Sequence, residues 1–262
     1  MKNKYHKSSF YYQKARRLIP NQSQTLSKAP SQFWIGHMPL FSQRAKGCYI
    51  WDVDGNRYID YIGALGPIIL GYCHPVTDKS VKRQLKEGII FSQPHPLETE
   101  VAELLNKIIP SAEMVRFAKN GADATAGAVR IARAYTGKNV ILYCGYHGAQ
   151  DWYLAATQRS AGVPKILKNY IHGFKYNDIG SLKRLFKKFK NKVAAVIMEP
   201  TYYWPPKNNF LQKVKRLAHQ NKALLIFDEI ITGFRWHLGG AQKLLGVTPD
   251  LSCFGKSMAN GM

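Results

Sequence analysis

The stretch from Ala194 to Asp228, AAVIMEPTYYWPPKNNFLQKVKRLAHQNKALLIFD, decides the fold. Ala194 to Met198 is a short, continuous apolar run, the pattern of a strand covered on both faces. Asn209 to Gln220 then repeats apolar residues at helical spacing, and Ala223 to Phe227 is a second apolar run of strand length. The same alternation extends outward. Val140 to Tyr143 and Leu251 to Phe254 read as further strands, and Lys183 to Lys192 reads as a basic helix with a solvated outer face. Short apolar strands alternating with amphipathic helices make an α/β domain with a mainly parallel sheet.

Upstream, Met114 to Ala118 predicts a short buried strand that ends in Asn120-Gly121-Ala122-Asp123-Ala124-Thr125. A helix follows from Ala124 to Tyr135 and stops at Gly137. Strand, glycine turn and helix in that order aim free backbone N–H groups and the positive end of a helix dipole at an anion. Two more helices are predicted over Pro75–Glu87 and Leu97–Ile108, the latter with Glu98, Glu100 and Glu103 in its early turns. Nearer the N-terminus, Ser8 to Leu18 permits a helix closed by Pro20, and an irregular arm runs to Pro39. Cys48–Trp51 and Arg57–Asp60 flank an Asp54-Gly55 turn and predict an antiparallel hairpin. The expected organisation is an N-terminal arm and hairpin over residues 1–75 and a large domain over 76–262.

Composition removes several classes. The 262 residues are 45% hydrophobic and 21% charged, which excludes disordered, collagenous and disulfide-scaffold chains. Lys and Arg number 38 against 16 Asp and Glu, a formal charge of +22. The excess is spread as Lys through the whole chain, so it is read as composition rather than as a nucleic-acid surface. Cys48, Cys73, Cys144 and Cys253 form no C-x-x-C pair and suit a reducing, cytoplasmic setting without a metal site. No apolar run approaches the ~18 residues of a membrane helix, so no membrane is expected as a partner. The basic segment before Asp52 is read as a mature arm, because Lys outnumbers Arg and aromatics interrupt it.

Ligands of open parallel sheets sit beyond the carboxyl ends of the strands. Five places there carry chemistry: Gly121-Ala122, Tyr146-His147, Glu199, Asp228 and Lys256. Each has an ordinary structural explanation singly. Together they offer an anion nest, an aromatic platform, two carboxylates and an amine, the inventory a phosphorylated aromatic aldehyde needs. Competing motifs fail. Gly255-Lys256-Ser257 would need a glycine where Asp250 stands to be a phosphate-wrapping loop, and there is no G-x-S-x-G, G-x-G-x-x-G or H-E-x-x-H.

With these residues placed, the sequence resembles the class III aminotransferases that depend on pyridoxal 5'-phosphate, a fold-type I family that includes glutamate-1-semialdehyde 2,1-aminomutase. The matching stretches are Ala45–Asn56, Asn120–Thr125, Arg130–Gly137, Tyr146-His147-Gly148, Phe227–Arg235 and Phe254-Gly255-Lys256. The resemblance implies that Lys256 forms the aldimine and moves the proton, and that Asp228 pairs with the ring nitrogen. It also implies that Tyr146 stacks on the ring with His147 beside it, that Ile230 packs the opposite face, and that Asn120, Gly121 and Ala122 hold the phosphate. Glu199 matches an acidic rim residue. The implied activity is transfer of an amino group from a small-molecule donor to a carbonyl acceptor, in a homodimer. The alternatives are the intramolecular amino shift of the aminomutase and, in another class, an inactive fragment or polyanion-binding module.

Departures refine these expectations. Ala122 stands where the family commonly has a hydroxyl residue and Asn120 where it often has Ser, which predicts weaker phosphate binding. Leu65 replaces a Trp usual in aminomutases, Thr201-Tyr202-Tyr203-Trp204 replaces a Gly-Asn pair, and the gating loop is contracted to Gln158–Pro164. A shortened lid favours two-substrate transamination over an internal shift. The sequence ends at Met262, six residues past Lys256, whereas the family continues into a C-terminal small domain. The reading at this point is a chain lacking that domain and poorly active alone.

Overall fold

The structure, a computed structural model, describes residues 4–201 and 203–262; Tyr202, in the divergent Thr201–Trp204 stretch, lies outside the described residues. The chain forms two compact units, residues 1–90 with 260–262, and residues 91–259.

In the first unit, α1 (His6–Leu18) precedes an antiparallel sheet of β1 (Ser42–Lys46), β2 (Tyr49–Asp52) and β3 (Arg57–Ile59), followed by α2 (Pro75–Glu87). The β2–β3 hairpin is the expected one. Its turn is organised by Asp52, which is buried and accepts from the backbone N–H groups of Asp54 and Asn56, the Asn56 amide and the Tyr58 hydroxyl. The sequence reading missed β1, because Ser-Gln-Arg-Ala-Lys shows no apolar alternation; the strand is mostly exposed and held by its ladder to β2. The last residues return to this unit. The Asn260 side chain accepts from the Ile69 and Leu70 amides and donates to the Gly71 carbonyl.

The second unit is a parallel sheet with helices on both faces. Its elements in chain order are α3 (Pro96–Ile108), α4 (Gly121–Thr136), β4 (Val140–Cys144), α5 (Asp151–Leu154), β5 (Ile171–Gly173), α6 (Ile179–Lys188), β6 (Val193–Met198), α7 (Phe210–Gln220), β7 (Leu224–Glu229), α8 (Gly240–Leu245) and β8 (Leu251–Phe254). The strand order is β5-β4-β6-β7-β8 and every pairing is parallel. Alternate strand residues serve opposite layers. Leu142, Val196, Met198, Leu225 and Phe227 pack toward α6 and α7, whereas Ile141, Ala195, Ile197 and Ile226 pack toward α4. Burial on both faces explains why the sequence shows continuous apolar runs rather than alternation. The basic helix is real and begins earlier than the Lys run: α6 turns Leu182 and Phe186 into the core and leaves its lysines outward.

One expectation fails. Met114 to Ala118 is not a buried strand: it joins no ladder, and Met114 is 92% exposed. A strand needs a paired neighbour to satisfy its backbone, and the outer edge of β8 carries no further strand among the described residues. The helix after it forms as expected and starts three residues sooner. Asn120 is its N-cap, with Oδ1 accepting from the Asp123 amide at 3.0 Å, and Gly137 ends it in the left-handed conformation.

Glu229, the last residue of β7, anchors the loop beyond it. Fully buried, its carboxylate accepts from the Thr232 hydroxyl at 2.8 Å, from the Ala241 and Gln242 amides at 2.5 and 3.0 Å, and from the Gln242 side chain at 3.1 Å. Every partner is a donor, so Glu229→Gln turns an NH2 group toward donors it cannot bond. This substitution is expected to lower stability by about 1–3 kcal/mol, read as a reduced urea midpoint; an unchanged midpoint would show that the loop does not depend on the carboxylate.

Candidate functional site

The carboxyl ends of β4, β6, β7 and β8 lie side by side, with Cys144 opposite Met198, Met198 opposite Phe227, and Asp228 opposite Cys253. The segments that leave these strands therefore start along one rim, and the sequence places Tyr146-His147, Glu199, Asp228 and Lys256 on them. A parallel sheet imposes this convergence: each strand must exit at the same edge, and the following loop carries whatever polar residue comes next.

At the centre is Asp228, 3% exposed. One carboxylate oxygen lies 2.8 Å from His147 Nδ1 and the other accepts from the Ile230 amide at 3.1 Å. The bond to Asp228 places the imidazole proton on Nδ1. His147 is itself buried, with its carbonyl accepting from the Thr125 hydroxyl of α4 at 2.8 Å and its ring stacked on Trp152. The ring cannot rotate away without breaking these contacts. A buried carboxylate fixed from the side in this manner keeps a lone pair available for a further donor.

Glu199, 6% exposed, accepts from the Tyr146 amide at 3.0 Å. Burial is the main cause that raises its pKa above the usual carboxylate value, and Asp228 adds to the rise; the Tyr146 amide, His147 and Lys256 work in the opposite direction. Gly145 makes room for this carboxylate: with φ at +110°, a Cβ there would meet Glu199 Oε1 at 2.6 Å. Tyr146 itself is 57% exposed, its ring edge-on to Tyr153. A broad aromatic face is therefore open to solvent directly beside the buried His147.

Lys256 follows β8 and Gly255 with φ at +40°. Its amine is shifted to a pKa below that of an ordinary lysine, chiefly because burial penalises the ammonium; Asp228 and Glu199 oppose the shift and Arg235 adds to it. The net result is an amine more easily freed of its proton than the surface lysines.

The α4 N-terminus completes the set. Gly121 and Ala122 are the first helical residues, and their backbone N–H groups have no acceptor among the described residues. Gly121 lets Ile230 approach closely: a Cβ there would lie 2.7 Å from Ile230 Cδ1, so the Ile230 side chain would have to shift. Ala122 is pressed against Gly148, whose own Cβ would come within 2.7 Å of the Ala122 methyl. Asn120 has both side-chain polar atoms engaged by Asp123, through Oδ1 and the amide at 3.0 Å and through Nδ2 and the carboxylate at 2.7 Å. Sequence reasoning missed two participants. Thr125 was visible only as part of a motif, and Trp152 gave no signal because α5 is a single turn. Among the described residues there is no group of His, Cys, Asp and Glu that could hold a metal ion.

Comparison with known proteins places the chain in a family. The model of the family "Aminotransferase class-III" matches residues 31–262. A 3-aminobutyryl-CoA aminotransferase of Cloacimonas acidaminovorans is 42% identical over 97% of this chain and 62% of its own length. A glutamate-1-semialdehyde 2,1-aminomutase of Alkaliphilus metalliredigens is 40% identical over 99% of this chain and 62% of its own length. Among solved structures, the pyridoxal-phosphate form of the FumI protein of Sphingopyxis sp. MTA144 superposes with a TM-score of 0.90 at 31% identity, covering 97% of this chain and 62% of that one. The chain thus spans about 62% of the length of the curated relatives it matches. By the family match over most of its residues, the chain belongs to the class III aminotransferases.

Proposed function

We propose that this chain holds pyridoxal 5'-phosphate and serves the transfer of an amino group from a small-molecule amino donor to a carbonyl acceptor. The observation that carries the reading is the pairing of an amine made easier to deprotonate by burial, Lys256, with a buried carboxylate fixed by His147, Asp228, on one sheet rim. The donor set fits the group. Two unpaired amides on a helix N-terminus suit a phosphate, the open Tyr146 face suits an aromatic ring, and Ile230 over Gly121 supplies an apolar wall. Pyridoxal phosphate, when bound, supplies an aldehyde that exchanges with amines and a ring that takes up the electron pair released at the substrate carbon.

The residues of the chain divide the remaining work. Gly121 and Ala122 would bind the phosphate through backbone N–H groups, with the α4 dipole reinforcing the attraction. Asp228 would accept a hydrogen bond from the protonated ring nitrogen and so hold that proton in place, while His147 keeps the carboxylate from turning away. Lys256 would hold the group at its aldehyde end through Nζ and, as a free amine, carry a proton at Nζ to and from the substrate carbon. Glu199 would stand at the rim as the second acidic group.

The amino shift of an aminomutase remains the second reading, favoured by the Alkaliphilus relative at 40% identity. The short Gln158–Pro164 segment speaks for two-substrate transfer. A cytoplasmic homodimer fits the picture: no described helix is long and apolar enough to cross a membrane, and large apolar side chains such as Ile90, Met114 and Tyr135 stand exposed.

Adding pyridoxal phosphate to the 262-residue protein is expected to give a visible absorbance band that borohydride bleaches and that Lys256→Ala abolishes. A band of equal size in the variant would overturn the assignment. With glutamate-1-semialdehyde as the only substrate, transamination predicts no isomerised product, and its accumulation would establish the aminomutase reading instead.

The shifted amine also has a stability consequence. Lys256 has a lower pKa folded than unfolded, so below the folded value both states are protonated and folding carries the full burial penalty. Stability then rises as pH climbs from the folded value toward the unfolded one, where the penalty vanishes. Lys256→Met is expected to raise the urea midpoint at neutral pH and flatten this rise; parallel pH profiles for the two proteins would contradict the burial argument.

A further inference from the structure

The turn that carries Lys256 is held from one side by the loop that follows β7. Lys256 lies in the left-handed region, φ +40°, a conformation an L side chain keeps only when its surroundings fix it. Phe254, two residues before, is clasped by that loop: a side chain at Gly233 would strike its ring, and Phe234 meets it edge-on with centroids 5.8 Å apart. On the other side of Lys256 the Arg235 side chain spans the two segments. Arg235 donates from Nε to the Ile231 carbonyl at 3.2 Å and from a terminal nitrogen to the hydroxyl of buried Ser257 at 3.0 Å.

We propose that Arg235 is a positioning residue for Lys256: by tying the Ile231 carbonyl to the Ser257 hydroxyl, it fixes the strained turn and sets a permanent cation beside the reactive amine. The planar guanidinium fork suits this task, since it reaches two acceptors in fixed directions, which an ammonium cannot reproduce. Three charged groups act on the amine: Asp228 from β7 and Glu199 from the end of β6 favour the ammonium, and the guanidinium disfavours it. Fixing Arg235 at Ser257 therefore keeps the two carboxylates from restoring the proton that burial has loosened. The inference rests on the reading of Lys256 as the reactive amine.

The test needs no bound cofactor. The 262-residue protein is labelled with trace acetic anhydride across a pH series, and acetylation of Lys256 relative to the exposed Lys86 is read by peptide mass spectrometry. Arg235→Gln is expected to slow Lys256 labelling about threefold near pH 8, because more of the amine is protonated. Ser257→Ala, which removes the guanidinium's bond to the Lys256 turn without removing its charge, is expected to fall between wild type and Arg235→Gln. Unchanged labelling in Arg235→Gln overturns the proposal. So does slowing in Arg235→Gln with a wild-type profile in Ser257→Ala, which would leave charge alone and no clamp. A chain that shows the expected labelling and forms no band with pyridoxal phosphate would instead sink the cofactor reading, so the two failures are told apart.

Discussion

The 2.8 Å contact between Asp228 and His147 is the constraint on which the site depends. A carboxylate at the end of a central strand, buried to 3% exposure, is tolerable only if its oxygens are bonded. That need recruits the surrounding structure. The imidazole must be buried to meet Asp228, so its backbone is tied to Thr125 on α4, and its ring is packed against Trp152 and Tyr153. The Ile230 amide takes the other oxygen, and the Ile230 side chain lies over Gly121, so a side chain there would push it aside. One buried anion thus links β7, the loop after β4, and the first turn of α4.

The adjacent position solves a separate problem. Glu229 points into the fold and gathers four donors from the loop and helix beyond β7, so successive acidic residues on one strand are satisfied by different partners. Strand alternation lets the two carboxylates meet different partners, since neighbouring side chains face opposite layers. The loop so anchored carries Arg235 to Ser257, and through it the conformation of Lys256 is coupled to the same strand.

Much of this was legible in the sequence because parallel strands buried on both faces leave continuous apolar runs, and the residue after each run is by topology on the rim. The β4, β6, β7 and β8 runs were found for this reason, and Tyr146, His147, Glu199, Asp228 and Lys256 followed from them. What was not legible depended on partners distant in the chain. Met114 to Ala118 has strand composition without a neighbour to pair with, whereas Ser42 to Lys46 lacks strand composition and pairs with β2 nonetheless. The Asp228–His147 bond joins residues 81 apart, and its partner Thr125 carried no spacing signal. The Asn120 side chain was expected to face a phosphate; its atoms are engaged by Asp123 in capping α4, and the Gly121 and Ala122 amides are the donors left without a partner among the described residues.

In a protein with 38 Lys and Arg, selective reaction at one amine, that of Lys256, is what the site's geometry requires. Borohydride trapping of pyridoxal phosphate on the wild-type chain, followed by peptide mapping of the pyridoxyl group, tests it most directly. One modified peptide is expected, carrying the label on Lys256 at near-stoichiometric yield. Label spread over exposed lysines, with no preference for Lys256, would contradict it.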